Sequence, residues 1–168
     1  MNFDEANHGR ENINWRNGEE YKNNCQCCVV IHEARLRGLN VTALGYSSDK
    51  TSIQYKLGEK FQNIWINPKT GKVPNPTKIK GETDVQIHNK IEKAMSSEGR
   101  YHIGINYNDK TGHIITAERI GDSILYYDAQ SGKKISIASC EDIEYIELLK
   151  VDKLLFRKDY LKKILEII

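Results

Sequence analysis

The chain has 168 residues, enough to bury the core of one domain, and nothing in its composition indicates a second domain. Its 25 basic and 23 acidic residues give a net charge of +2 without a run of like charge, which argues against a nucleic-acid partner. No apolar run is long enough to span a membrane, and residues 1–20 lack the apolar stretch of a signal peptide.

The four cysteines are unevenly spaced along the chain. Cys25, Cys27 and Cys28 fall within one turn, so this cluster could form a disulfide only with Cys140. We therefore expect a chain that works with reduced thiols, as in a cytosol.

The first third of the chain predicts an irregular arm followed by one buried helix. Residues 1–23 lack periodicity and predict an arm that is anchored on the body by Ile13 and Trp15. A helix is predicted over residues 25–37, because Asn24 is a good N-cap and Gly38 is a stop signal. Its first half is apolar nearly all round, which predicts a central, buried helix.

Residues 41–44 predict a short strand, and the Gly-, Asn- and Pro-rich stretch up to residue 83 predicts turns, with a short helix at 60–65. A second helix is predicted over residues 84–97, ending at Gly99. Its buried side is predicted to comprise Val85, Ile87 or His88, Ile91, Ala94 and Met95.

From residue 101 the apolar pattern changes to period two. Strands are predicted at 101–107, 113–119 and 123–128, joined by two tight turns into an antiparallel meander. Residues 133–138 and 143–156 predict further edge strands, and residues 157–168 predict a C-terminal helix. Helices first and an antiparallel sheet second make the fold α+β, in one domain over residues 1–168.

Cys25 would lie at the helix N-terminus, where unpaired N–H groups and the positive end of the helix dipole favour a thiolate. A nucleophilic cysteine needs a base, and His113 is well placed because it opens a strand after a hairpin turn. Asp128 closes the next strand, and in a tight hairpin the start of one strand lies beside the end of the next. Asp128 can therefore orient His113, and Gln130 projects to the same side if the extended backbone persists.

Other interpretations of these residues stay open at this stage. His113 could be a structural strand residue and Asp128 a turn residue. Cys28 fits a buried core position, and a Cys25–Cys28 pair with Cys140 and a histidine could bind zinc or exchange disulfides. The other histidines are weaker candidates for the base: His32 and His88 lie mid-helix, and His102 competes from a strand.

The motifs of the chain resemble those of one family over about residues 24–156. The matching residues are Asn24-Cys25-Gln26-Cys27-Cys28-Val29-Val30, Glu33, Arg35, Arg37-Gly38, Val41, Asn67-Pro68-Lys69-Thr70-Gly71-Lys72, Gly112-His113, Tyr127-Asp128-Ala129-Gln130-Ser131-Gly132 and Lys150-Val151-Asp152. Together they resemble the papain-like-fold toxin domains of bacterial polymorphic toxins, which are commonly described as glutamine deamidases.

The resemblance implies a papain-like fold in which Cys25 is the nucleophile, His113 the base and Asp128 its orienter. Cys27 departs from the family pattern, which has cysteines only at the places of Cys25 and Cys28, so helix position favours Cys25 over Cys28 as the acting thiol. For the oxyanion hole, the candidates are the Cys25 backbone N–H and the Asn24 or Gln26 side chain, with Gln130 a candidate for substrate binding.

We therefore expect a toxin or effector domain, possibly the C-terminal module of a larger protein, that deamidates a glutamine of a target protein without a cofactor or metal. A cysteine peptidase or a transglutaminase-like acyl transferase with the same triad are the alternatives, and a zinc-stabilised binding module is the non-enzymatic one. The expected partners are the target protein and a cognate immunity protein. Delivery would use a bacterial secretion route without a visible signal peptide, and the site of action would be the cytosol of the target cell.

Overall fold

The computed structural model describes residues 9–168 and shows a mixed α+β architecture with antiparallel sheets, as the sequence predicts. The helices are α1 (Cys25–Leu36), α2 (Ile53–Glu59), α3 (Asp84–Ala94) and the single turn α4 (Lys158–Leu161). The strands are β1 (Val41–Ala43), β2 (Trp65–Ile66), β3 (Thr77–Ile79), β4 (Gly99–Tyr107), β5 (Gly112–Ile120), β6 (Ser123–Asp128), β7 (Lys133–Ile135), β8 (Ile143–Lys150), β9 (Leu155–Phe156) and β10 (Leu165–Ile167). Short 3-10 turns occupy Arg10–Asn12, Glu19–Tyr21, Phe61–Ile64 and Ile137–Ser139.

The main sheet has six strands in the order β3-β8-β4-β5-β6-β7, and every neighbouring pair is antiparallel. The meander from β4 to β6 follows the predicted hairpins. The prediction of residues 143–156 as an edge strand was wrong, because β8 lies between β3 and β4. Its side chains explain this position: Ile146 is buried on one face and Leu149 on the other, so the strand carries apolar groups on both sides.

The sheet separates two apolar clusters. Adjacent residues of one strand, such as Ile114 and Ile115, belong to different clusters because successive side chains point to opposite faces. One cluster is built on α1, and the other on α3 through Ile87, Ile91 and Met95. No helix among residues 9–168 has the length and apolar character needed to cross a membrane.

Every side chain of α1 from Gln26 to Arg35 is buried, including its charged ones. The carboxylate of Glu33 accepts two hydrogen bonds of 2.7 Å from Arg100 and one of 2.9 Å from Arg37. Burial alone raises the pKa of Glu33, but the hydrogen bonds and charges of the two arginines outweigh it, and the pKa lies below its usual value. The arginines therefore allow an ionised group to remain inside an apolar cluster.

Three predicted details of the body were wrong. The C-terminal segment is one helical turn followed by β10, which pairs with β1 so that Val41 faces Ile167; this pairing satisfies the edge of β1 and overrides the local helical pattern. Val85 of α3 is exposed, since the buried stripe of that helix runs through Ile87 and Ile91. The stretch predicted as turns contains α2, which is capped by Ser52 accepting from the Tyr55 N–H.

The N-terminal arm packs through different residues from those predicted. Ile13 is 51% exposed, whereas Glu11 and Asn12 are buried at 0% and 2% exposure. The arm is therefore held by polar contacts instead of an apolar anchor. Residues 1–8 of the predicted arm lie outside the described residues.

We predict that Arg100→Met destabilises the protein by about 3–5 kcal/mol, because it leaves the buried Glu33 carboxylate with fewer partners. The matched control is Lys110→Met, which removes the exposed Lys110–Glu144 pair and costs less than about 1 kcal/mol. Urea unfolding of both variants measures the difference.

The same variant also tests the pH dependence of stability. Because the pKa of Glu33 is lower in the folded chain, its contribution is present above the ordinary carboxyl pKa and is lost as the pH falls through the lowered value. Arg100→Met should reduce this loss of folding stability at acid pH. Equal losses of stability for the two variants would contradict the assigned role of Glu33.

Candidate active site

Cys25 is the first residue of α1 and lines a pocket of about 430 Å³. Its Sγ lies 3.6 Å from Oε1 of Gln26. The other thiols are buried, and burial raises the pKa of Cys27, Cys28 and Cys140. Among the four cysteines, Cys25 is therefore the thiol that combines access to the pocket with a helix N-terminus.

The first turn of α1 leaves two backbone donors at the pocket. The N–H groups of Cys27 and Cys28 both donate to the carbonyl oxygen of Asn24, at 2.9 and 3.0 Å. The side chain of Asn24 does not cap the helix, so the N–H groups of Cys25 and Gln26 have no acceptor among the described residues. Such donors can stabilise negative charge that develops close to Cys25.

His113 and Asp128 come together at one end of the β5–β6 hairpin. The pairing of Ile120 with Ser123 at the turn and of Thr116 with Tyr127 further along brings the start of β5 beside the end of β6. Nε2 of His113 lies 3.2 Å from Oδ1 of Asp128. The Cys25 thiol also interacts with this ring and helps to raise its pKa. The structure thus aligns the three residues that the sequence nominates; their catalytic roles stay predictions.

The Asp128 carboxylate is fixed by its own turn. The Ser131 hydroxyl donates to Oδ2 at 2.9 Å, and the Gln130 backbone N–H donates to Oδ1 at 3.2 Å. Burial raises the pKa of Asp128. The hydrogen bond and charge of His113, with the two turn contacts, lower the pKa by more than this, so it lies below its usual value. Asp128 is therefore an anion that faces the imidazole.

The charge of His113 follows from these contacts. Burial lowers its pKa, but the hydrogen bonds and charges of Asp128 and Cys25 act in the opposite direction and raise it to about 10. At neutral pH the ring is therefore an imidazolium beside the thiol. This arrangement favours the thiolate of Cys25 and supplies a proton for a leaving group.

The remaining pocket wall comes from parts of the chain that the sequence analysis did not nominate. Leu57 and Phe61 provide apolar lining, and the ring of Phe61 lies against Gly104, where an added Cβ would be 3.1 Å from a ring carbon. Asn106 faces the pocket with an amide that forms no hydrogen bond with any described residue. The sequence signal that could have identified Asn106 is its place on β4, the strand predicted to pair with the strand of His113.

Two of the predicted substrate-contacting residues do not reach the pocket. The side chain of Asn24 is fully buried and donates to the carbonyl oxygen of Leu44 at 3.0 Å. The side chain of Gln130 is 7% exposed and donates to Oδ1 of Asn24 at 3.3 Å. These amides instead pair with each other behind the helix start. Gln26 does line the pocket, with Nε2 donating to the Gln54 carbonyl at 3.2 Å.

The other histidines are occupied elsewhere. His102 is 1% exposed with its ring 5.6 Å from that of Trp65, and burial lowers its pKa to about 3. His32 contacts Glu11, and His88 contacts the backbone of Cys140. Cys140 lies in the α3 cluster, and among residues 9–168 no three His, Cys, Asp or Glu side chains are grouped so that they could hold a metal ion. The set of zinc ligands considered from sequence is therefore not assembled in this part of the chain.

Comparison with known proteins found a weak structural similarity and no match to a family. No protein-family model and no curated protein matches the chain. Among solved structures it is similar to the Pseudomonas avirulence protein AvrPphB, with a TM-score of 0.37 and 9% identity over 79% of this chain and 69% of that one. Similarity at this level leaves the class of protein to be argued from the site itself.

We predict that the His113 ring keeps its proton until about pH 10, where an ordinary imidazole would lose it near 6.5. Because this pKa is raised in the folded chain, its contribution to the free energy of unfolding is complete below pH 6.5 and is lost as the pH rises toward about 10. NMR titration of the ring nitrogens measures the pKa, and Asp128→Asn should lower it. A titration near 6.5 in the unmodified protein would refute the assigned ion pair.

Proposed function

We propose that this chain is a cysteine-dependent amidohydrolase of papain-like arrangement that converts a glutamine side chain of a target protein to glutamate. The observation that carries the proposal is the contact of the His113 imidazolium with both Cys25 and Asp128 at the wall of one pocket. The choice of glutamine rests on the resemblance of the cysteine, histidine and aspartate motifs to toxin deamidases.

The reaction follows from the protonation states of the site. The Cys25 thiolate attacks the amide carbon, and as the C–N bond breaks the His113 imidazolium gives its proton to the nitrogen, so that ammonia leaves. Water then attacks the thioester carbon while His113 accepts a proton, and the C–S bond breaks to release the glutamate side chain. Asp128 holds the ring in place and stabilises its charged form throughout.

The oxyanion of both tetrahedral intermediates would be held by backbone groups. The N–H groups of Cys25 and Gln26 are the donors without described acceptors at the helix start. Removal of one oxyanion donor typically costs about 10²–10³ in turnover. The side chain of Asn24 does not join them, because its N–H groups are used at Leu44 and Asn12.

The pocket suits an amide side chain on a short apolar stem. Leu57 and Phe61 offer apolar surface to methylene groups, while Asn106 offers an unpaired amide to a polar end. A volume of about 430 Å³ holds one side chain and part of its backbone. A peptidase or a transferase would use the same thioester, so products decide between them. By the same resemblance we propose that the domain acts as a delivered toxin that a cognate immunity protein restrains.

We predict that a proteome exposed to the protein acquires glutamine-to-glutamate changes, each adding about one dalton by exchange of NH₂ for OH. Peptide mass spectrometry of cells expressing the domain locates these changes. Cys25→Ala should abolish them, because no thioester can form. The matched control, Cys28→Ala, removes a buried thiol and should cost only about 1–3 kcal/mol of stability while the activity persists.

Three results would contradict the proposed reaction or the proposed nucleophile. Cleaved backbones that depend on Cys25 would establish a peptidase. Amine adducts at glutamine would establish a transferase. Glutamate formation that survives Cys25→Ala but not Cys28→Ala would identify the other thiol as the nucleophile.

The charge of the pocket favours a cationic neighbour of the target glutamine. Glu59 and Glu147 both line the pocket, and neither carboxylate forms a hydrogen bond or ion pair with a described residue. Lys78 faces Glu147 across the β3–β8 pairing, but its ammonium lies 4.1 Å from the centre of the Tyr145 ring. These two carboxylates therefore add negative charge to the pocket wall.

We therefore predict that a glutamine peptide with adjacent lysine or arginine is deamidated faster than one with adjacent aspartate or glutamate. Glu59→Gln and Glu147→Gln should each reduce this preference about three- to tenfold, as expected for partly exposed charge pairs. Glu166→Gln, an exposed carboxylate on β10 outside the pocket, is the control. Ammonia release from the two peptides measures the ratio, and an unchanged ratio in both pocket variants would refute the preference.

A further inference from the structure

The short turn Arg10–Asn12 inserts two polar side chains between α1 and the segment that carries Asp128. Glu11 and Asn12 are buried at 0% and 2% exposure, although their surroundings are a core helix and a strand end. Burying such groups costs free energy unless their hydrogen bonds are made, so their partners show what they hold together.

Asn12 connects the residue before the nucleophile to the turn after the orienter. Its amide group donates to the carbonyl oxygen of Gln130 at 3.0 Å and to that of Tyr21 at 2.8 Å, and its Oδ1 accepts from Asn24 at 3.1 Å. Gln130 in turn donates from its side chain to Asn24 and from its backbone to Asp128. A series of hydrogen bonds therefore runs from the side chain of Asn24, the residue before Cys25, to the carboxylate that faces His113.

Glu11 makes a second connection between the same two elements. Its Oε1 lies 2.9 Å from Nδ1 of His32, which is two turns along α1 from Cys25. Its two carboxylate oxygens accept from the Tyr127 hydroxyl at 3.1 Å. Burial and, to a smaller extent, the charge of Glu11 raise the pKa of Tyr127 above its usual value. The hydroxyl therefore stays protonated and remains a donor. Tyr127 precedes Asp128 on β6.

The backbone of the arm is also in close contact with the Asp128 turn. Gly132 has φ +74°, and a Cβ built on it would lie 2.9 Å from the Cα of Gly9. The two segments approach closely because position 132 is a glycine. The arm is thus fitted to the turn by shape as well as by hydrogen bonds.

We propose that Glu11 and Asn12 are positioning residues that set the distance between Cys25 and the His113–Asp128 pair. The inference rests on the proposed role of Cys25 as the nucleophile. Neither residue touches the pocket; each acts through α1 and through residues 127–130. Loss of either contact set lets the helix start move relative to the imidazolium, which weakens the stabilisation of the Cys25 thiolate.

The experiment measures the rate of Cys25 alkylation by iodoacetamide as a function of pH, with peptide mapping to separate Cys25 from the buried thiols. Asn12→Ala and Glu11→Gln should each slow alkylation near neutral pH about tenfold, because the start of α1 is no longer held beside the His113 ring. The control is Ile137→Ala, a core variant in the α3 cluster, compared at equal fraction folded.

The control separates positioning from general destabilisation. If Asn12→Ala does not fold, Asn12→Ser, which keeps a donor and an acceptor, should give an intermediate rate. The proposal is overturned if the folded Asn12 and Glu11 variants keep the alkylation rate and pH profile of Ile137→Ala. Absence of glutamine deamidation alongside Asn12-dependent alkylation would refute the proposed function and leave the positioning role standing.

Discussion

Burial of α1 on every side is the constraint on which the rest of the structure depends. A helix surrounded by the core must find internal partners for each polar side chain, because water cannot reach them. Glu33 finds Arg100 and Arg37, and His32 finds Glu11. The body of the helix is enclosed, whereas Cys25, its first residue, lies at a pocket.

Electrostatics in the site follow from the geometry of one hairpin. The short β5–β6 turn brings His113 next to Asp128, and the contacts of the ring with Asp128 and Cys25 together outweigh the effect of burial on its pKa. The resulting imidazolium lies beside Cys25 at a helix start, where backbone N–H groups are also unpaired. Ring, thiol and backbone donors therefore favour negative charge at the same point, which is the requirement for acyl chemistry on an amide.

Assembly of the pocket requires segments that are far apart in the chain. Cys25 comes from α1, His113 from β5, and the opposite wall from the α2 region around Phe61 and from Asn106 on β4. Glu59 and Glu147 both line this pocket although one lies on α2 and the other on β8. The wall that would contact a substrate is thus formed by surfaces that no single motif contains, whereas the candidate nucleophile Cys25 and the candidate base His113 lie within recognisable local patterns.

Sequence patterns alone predicted the α+β class, the helix that begins at Cys25 and the hairpin that joins His113 to Asp128, because glycine stops and apolar periodicity act between near neighbours. Only the tertiary structure decided that Asn24 and Gln130 support the site from behind and that the end of the chain pairs as β10. The same holds for Asn12, whose contact with Gln130 spans 118 positions. Polar partners at such separations carry no periodic signal, so the fold alone brings them together.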